Sequence, residues 1–65
     1  MRKRDVTRAL IARGCEKLRD RGDHEVWGCP CGQHQTSLPR HTTVSPGVVR
    51  KMIQHLACLP EGWLQ

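Results

Sequence analysis

The sequence predicts an α+β domain in which a helix, three antiparallel strands and a second helix follow one another. Three observations carry this prediction: a helical apolar rhythm near the amino terminus, a glycine turn between two extended stretches at residues 15–29, and a Ser-Pro-Gly helix start at residue 45. Two hairpins between the helices would pack both helices on one face of a three-stranded antiparallel sheet and leave the other face open. With 65 residues, the chain is expected to be a single small domain.

The first helix is predicted from the i, i+3, i+4 spacing of Val6, Ala9 and Leu10. Asp5 can cap this helix or place a favourable negative charge in its first turn. Gly14 is expected to end it, because glycine readily adopts the left-handed conformation that follows a helix. A helix this short must dock on the sheet to persist.

Two strands joined by a glycine turn are predicted next. Residues 15–20 alternate loosely, and a regular alternation puts Lys17 and Arg19 on the same face. Gly22 supplies the positive φ that a hairpin turn often needs, and residues 24–29 form the second strand.

Trp27 is the natural centre of the core, because Trp27 and Trp63 are the only aromatic residues in the chain. If Trp27 faces the helices, alternation along the strand puts His24 on the opposite, open face. Residues 34–38 are expected to form the third strand, which Pro39 ends or marks as an edge.

The second helix has a strong start signal. Ser45 is expected to be its N-cap and Pro46 its first residue. Pro60 requires the helix to end at or before residue 59. Its apolar face is predicted to comprise Val49, Met52, Ile53 and Leu56.

A turn and an apolar tail are expected at residues 59–65. Residues 59–62 fit a type I turn with Pro60 second and Gly62 last. Trp63 and Leu64 then either fold back on the core, which is the favoured interpretation, or contact a partner.

The positive charge of the chain is concentrated in its first third. The net charge is +5, and eight of the eleven Lys and Arg residues lie in residues 1–21 with only three acidic residues. Residues 22–65 carry equal numbers of basic and acidic residues. A basic segment of this kind favours a polyanionic partner, most often a nucleic acid, over a merely solvated surface.

Neither a membrane segment nor a secretory leader is predicted. The longest apolar run, residues 9–12, is too short to cross a bilayer. Because the chain begins at Met1, it is expected to be complete and cytoplasmic. Its four cysteines (Cys15, Cys29, Cys31 and Cys58) are then expected to be reduced thiols.

A zinc site is an alternative interpretation of the cysteine-rich turn. Cys29, Cys31 and His34 lie within six residues, and His41 or Cys58 could supply a fourth ligand. Because zinc knuckles usually separate their cysteines by two residues, the single residue between Cys29 and Cys31 makes chelation by both awkward. The favoured interpretation is a tight turn without metal, so no cofactor is expected.

His24 is the candidate catalytic residue. Histidine exchanges protons near neutral pH, and a histidine at a strand end beside Lys17, Arg19 and Arg21 suits phosphodiester cleavage. The 2′-OH of RNA is then the nucleophile, so no metal is required. A second proton-transfer group is either His41 or absent; a structural or surface role for each histidine is the alternative.

The chain resembles the HicA-type toxins, which are mRNA interferases of bacterial toxin–antitoxin systems. The resemblance covers nearly the whole chain and is carried by the helix closed by Gly14, the Gly22-x-His24 motif with Trp27 three residues on, Pro39, His41, and the Ser45-Pro46-Gly47 helix start with Arg50 after it.

The resemblance implies a fold like that of double-stranded RNA-binding domains, mRNA cleavage by His24, and a cognate HicB-type antitoxin that covers the site. The residues that would contact RNA are Lys17, Arg19, Arg21, His41 and Arg50. Two features depart from the family pattern: Asp23 precedes the histidine, where serine is common, and residues 29–32 form a Cys-Pro-Cys-Gly turn. The alternatives are a non-catalytic RNA-binding module and a zinc-stabilised interaction module.

Overall fold

Two helices and three strands follow one another in the predicted order in the computed structural model, which describes residues 1–60 and 62–64. The elements are α1 (Lys3–Ala12), β1 (Glu16–Arg21), β2 (His24–Gly28), β3 (Gln35–Pro39) and α2 (Pro46–His55). β2 lies between β1 and β3 and is antiparallel to both. The predicted α+β class and element order are therefore confirmed.

α1 begins two residues before the predicted cap. Arg2 occupies the N-cap position without a side-chain cap, and the backbone N–H of Lys3 instead donates to the Thr42 carbonyl at 2.8 Å. The loop that precedes α2 thus satisfies a donor at the start of α1, so that of the two roles considered for Asp5, the cap is wrong. Asp5 lies within the first turn, where its negative charge favours the helix dipole.

Gly14 ends α1 as predicted. Its φ of 82° is in the left-handed region, the Cys15 N–H donates to the Leu10 carbonyl at 3.0 Å, and the Gly14 N–H donates to the Ile11 carbonyl at 3.0 Å. These two bonds form a Schellman motif, which satisfies carbonyls that the helix itself leaves free.

A two-residue turn places His24 at the start of β2. Arg21 pairs directly with His24, and only Gly22 (φ 59°) has a positive φ in the connection. Positive φ at the first loop residue alone is the pattern of a type II′ turn, which matches the twist of antiparallel strands. The glycine turn predicted from the sequence is confirmed.

A β-bulge in β1 overturns the expected alternation. Lys17 pairs with Trp27 and Arg19 pairs with Val26, so Leu18 is an extra residue in the strand. Because directly paired residues share a face, Lys17 lies on the Trp27 face and Arg19 on the Val26 face. The prediction that Lys17 and Arg19 share a face is therefore wrong.

The core lies between both helices and one face of the sheet, as predicted. Trp27 is 6 % exposed and belongs to this core, and its two neighbours in β2 point the other way. The favoured interpretation of the tail is confirmed, because Trp63 and Leu64 are buried in the same cluster. The buried members are Val6, Leu10, Cys15, Trp27, Cys29, Leu38, Val44, Met52, Leu56, Trp63 and Leu64.

α2 starts as predicted, but one residue of its predicted apolar face is exposed. The Ser45 hydroxyl accepts the Val48 N–H at 3.4 Å, and Pro46 is the first helical residue. Ile53 is 38 % exposed, whereas Met52 is buried, because the sheet covers a narrower stripe than the spacing suggested. The predicted turn at residues 59–62 includes residue 61 and so lies partly outside the described residues.

None of the helices in residues 1–60 and 62–64 is both long and apolar enough to span a bilayer.

The four cysteines differ in their state. Cys15 and Cys58 are free thiols, as predicted, but the Sγ atoms of Cys29 and Cys31 lie at bonding distance. In this structure that pair departs from the expectation of four free thiols, because the tight turn around Pro30 brings the two sulfurs together.

Candidate nucleic-acid interface and active site

His24 lies on the open face of the sheet with two arginines. The register places Arg21 opposite His24 and Arg19 opposite Val26, and Ser37 of β3 pairs with Val26 from the other side. Val26 is 4 % exposed although it lies outside the cluster between the sheet and the helices, so its neighbours on this face cover it. The long stems of the arginines can cover an apolar residue while their charged ends stay in water.

A groove along the outer edge of β3 joins this face to α2. Its volume is about 210 Å³, and its lining includes His24 and Ser37 from the sheet and Lys51 and His55 from the helix. We call this depression, with these four polar lining residues, the histidine groove. Arg21 lines a depression with His24 and Ser37, and both Arg19 and Arg21 line another with Ser37 and His55.

His55 is a site residue that the sequence did not single out. Its Nδ1 lies 3.2 Å from the Thr36 hydroxyl oxygen, a hydrogen bond that orients the imidazole over β3. The one signal in the sequence was its position in α2, four residues after Lys51 and three after the buried Met52. Such a position lies at the border of the apolar stripe, where a helix meets the edge of a sheet.

Lys17 is not brought to His24, although the sequence placed both in one site. Its ammonium contacts the Asp20 carboxylate at 3.2 Å, on the face that bears Trp27. The Lys17 hydrogen bond, aided by the ion pair from Arg40, holds the pKa of Asp20 below its usual value. The charge of Lys17 is therefore engaged locally rather than presented on the open face.

Two other predicted contact residues also lie outside the groove. His41 is exposed in the loop after β3, and Arg50 is exposed on α2 beside Lys51, which does line the groove. Asp23, the unusual neighbour of His24, is exposed in the hairpin turn, and its carbonyl accepts the Arg40 N–H at 2.9 Å.

A largely buried carboxylate, that of Glu25, follows His24 in β2 and ties this strand to its surroundings. Glu25 accepts the Trp27 indole N–H at 3.0 Å and forms an ion pair with Lys3 at 3.1 Å. Burial by itself raises the pKa of Glu25, but the Trp27 and Lys3 contacts outweigh it and the net pKa is lowered. The residue after His24 is thus tied to both the core and α1.

A depression larger than the histidine groove lies away from His24, at the start of α1. It measures about 700 Å³ and is lined by Arg2, Lys3, Arg4, Thr7, Thr42 and Thr43. Its size does not make it the site, because it contains no side chain able to transfer protons near neutral pH. Its arginines and lysine extend the positive surface of the molecule.

The histidine groove has the groups that phosphodiester chemistry needs. Two imidazoles can exchange protons, and Lys51 can bind a phosphate together with Arg19 and Arg21 of the adjoining depressions. Among residues 1–60 and 62–64, no carboxylate lines the three depressions around His24 and His55. The positive charge there is thus not offset within the site.

This fold and this groove define a small α-β-β-β-α domain with a basic, histidine-bearing sheet face. The family model described as the HicA toxin of bacterial toxin–antitoxin matches residues 4–57 of the chain. The chain therefore belongs to the HicA toxin family, and it is the toxin of a toxin–antitoxin system. Comparisons with curated proteins and with solved structures each gave no match.

Proposed function

We propose that the chain is a metal-independent endoribonuclease that cleaves mRNA at the histidine groove, with His24 as the catalytic residue. The observation that carries the proposal is the placement of His24 and His55 in one groove with Lys51. RNA contains its own nucleophile, the 2′-OH, so two proton-transfer groups and a cation are sufficient for cleavage.

The reaction balances with these groups. One imidazole takes the proton of the 2′-OH while that oxygen attacks the phosphorus. The bond from phosphorus to the 5′-oxygen breaks, and an imidazolium protonates the leaving oxygen. The products are a 2′,3′-cyclic phosphate and a 5′-OH, and Lys51 and Arg21 stabilise the charge on the phosphate in the transition state.

His55 takes the role for which the sequence suggested His41. It shares the groove with His24, and its hydrogen bond to Thr36 restrains the ring. An oriented imidazole exchanges protons more effectively than one that rotates freely, because the reacting geometry is already formed. Within residues 1–60 and 62–64, His41 neither lines this groove nor has a hydrogen bond that restrains its ring.

A HicB-type antitoxin would neutralise the toxin by covering this same surface. The open face offers it the positive charges of Arg19 and Arg21 and the apolar Leu18, which is 46 % exposed and lies on the side of the sheet where a Cβ added at Gly28 would point. A partner with acidic and apolar side chains would complement both features. The tail residues Trp63 and Leu64 are not accessible to it, because they are buried.

A non-catalytic RNA-binding module is the second candidate. Arg19 and Arg21 on the open face favour this second candidate, because they would bind phosphates whether or not His24 transfers a proton. Cleavage and binding must therefore be measured separately.

The test compares the wild type with His24→Ala, His55→Ala and the control His41→Ala on a uniform RNA. Buffers contain no added divalent cation and no chelator, and the ends of the products are identified. We expect cyclic-phosphate ends from the wild type and His41→Ala, no cleavage by His24→Ala, and a decrease of about 10²–10⁴-fold in His55→Ala.

RNA binding by the same proteins completes the test. His24→Ala should keep its fold and its affinity for RNA, because the side chain is exposed. Tight binding without cleavage by the wild type would support the non-catalytic module instead. Full activity in His24→Ala would overturn the assignment of the site.

A further inference from the structure

Four potential metal ligands converge at the end of the sheet that bears the cysteine-rich turn. Cys29, Cys31 and His34 come from the β2–β3 connection, and Cys58 follows α2. Their ligand atoms all lie within 4.8 Å of one another. The cluster is separate from the histidine groove, and none of its members lines that groove.

The distances show a compact donor set. The Sγ of Cys58 lies 2.8 Å from the Sγ of Cys29 and 3.5 Å from the Sγ of Cys31. The Sγ of Cys31 lies 3.1 Å from the Nδ1 of His34. Around a tetrahedral zinc ion, with Zn–S bonds of about 2.3 Å, sulfur ligands lie about 3.8 Å apart, so small side-chain shifts bring all four atoms around one ion.

The backbone of the turn supports thiolate ligands. The N–H of Gln33 donates to the Sγ of Cys31 at 3.4 Å, which is the kind of outer contact that holds and tunes a metal ligand. The N–H of Gly32 donates to the Cys29 carbonyl at 3.0 Å, and Gly32 has a φ of 76°. This turn brings the two sulfurs together even though Pro30 alone separates their residues.

We propose that Cys29, Cys31, His34 and Cys58 bind one structural Zn²⁺ in the reduced protein. Three thiolates and an imidazole are a soft donor set that suits zinc and does not suit magnesium or calcium. Four protein ligands leave no open position, so the ion has a structural rather than a catalytic role. On binding, the three thiols release three protons and the imidazole binds in its neutral form.

The ion would join the β2–β3 turn to the segment after α2. These parts are far apart in sequence, and a domain of this size gains much from such a link, because its hydrophobic core is small. A disulfide between Cys29 and Cys31 leaves only two of the four ligands able to bind the ion. Metal binding therefore requires the reduced form.

The test uses the full chain, reduced and freed of metal, titrated with Co²⁺ and then with Zn²⁺. We expect one equivalent of Co²⁺ to give the intense visible bands of a tetrahedral thiolate complex and the near-ultraviolet sulfur-to-cobalt charge-transfer band. One equivalent of Zn²⁺ should then abolish both. Absence of these bands, or a Cys29–Cys31 disulfide that persists in the reduced preparation, would overturn the proposal.

Two ligand variants and two matched controls locate the site. Cys58→Ser and His34→Ala should lose the tetrahedral spectrum or bind Co²⁺ at least tenfold more weakly. Cys15→Ala and His41→Ala change the same residue types outside the cluster and should bind like the wild type. Stoichiometric tetrahedral binding in both ligand variants would refute the assignment, and this result is independent of RNA cleavage.

Discussion

At the scale of single residues, Glu25 links β2, the strand that begins with His24, to the core and to α1. Its carboxylate accepts the Trp27 N–H and pairs with Lys3, and its side chain is only 12 % exposed. In Glu25→Gln the amide oxygen can still accept the indole N–H, but the ion pair is removed. We expect a decrease of about 1 kcal/mol in the free energy of unfolding at pH 7.

The pH dependence of this effect has a definite sign. Because the pKa of Glu25 is lowered in the folded state, the ionised carboxylate stabilises the fold above the unfolded-state pKa, near 4.5. That contribution disappears as the pH falls through the folded-state pKa. Urea unfolding should therefore show the wild type and Glu25→Gln converging below pH 4.5. The control Glu16→Gln, whose side chain is exposed on β1, should differ little from the wild type at pH 7.

At the scale of elements, Gly14 and Gly47 lie at helix ends but differ in whether their backbone conformation needs glycine. Gly14 ends α1 with a φ of 82°, whereas Gly47 lies inside the first turn of α2 with no atom within 4 Å of an added Cβ. We expect Gly14→Ala to lower the free energy of unfolding by about 1 kcal/mol, because alanine is strained at positive φ. Gly47→Ala should raise it by about 0.4–1 kcal/mol.

Chemical denaturation followed by circular dichroism measures both effects. The two variants make the same chemical change, so opposite signs isolate the backbone conformation as the cause. Equal effects in the two variants would contradict the left-handed helix end at Gly14.

At the scale of the whole molecule, we expect the placement of positive charge to affect RNA binding more than its total does. Arg19 and Arg21 lie on the open face, whereas Lys17 is paired with Asp20 on the other face and Arg8 is exposed on α1. The double variants Arg19→Gln/Arg21→Gln and Arg8→Gln/Lys17→Gln remove the same charge from different surfaces.

RNA binding over a range of salt concentrations distinguishes these surfaces. We expect the open-face double variant to reduce the slope of log K against log salt by about 1 for each phosphate that the protein no longer neutralises. The control double variant should change the slope much less. Equal slopes in the two variants would indicate that RNA responds only to net charge.

The elements and the orientation of His24 were predictable because their signals are local. Gly14, Gly22 and Ser45 each mark a boundary through their own backbone or capping chemistry, and Trp27 identifies the core face of β2. The family resemblance, now confirmed, rests on the same local features.

The bulge in β1, the role of His55 and the choice of Cys58 as a ligand depended on interactions between distant parts of the chain, so the sequence alone did not predict them. The bulge at Leu18 is not visible in a strand that is exposed along its whole length, because no apolar alternation marks the register there. His55 joins the groove only because α2 lies against the edge of β3. Cys58 was one of two candidates for a fourth ligand, and only the fold separates it from His41.

The burial of both indoles has a practical consequence for spectroscopy. Trp27 and Trp63 are each 6 % exposed, and the chain has no tyrosine. Intrinsic fluorescence therefore comes only from the core, and its emission should move to longer wavelength when either indole reaches water. With Trp27→Phe, the remaining emission reports the docking of the C-terminal tail alone; with Trp63→Phe, it reports the central strand that carries the histidine.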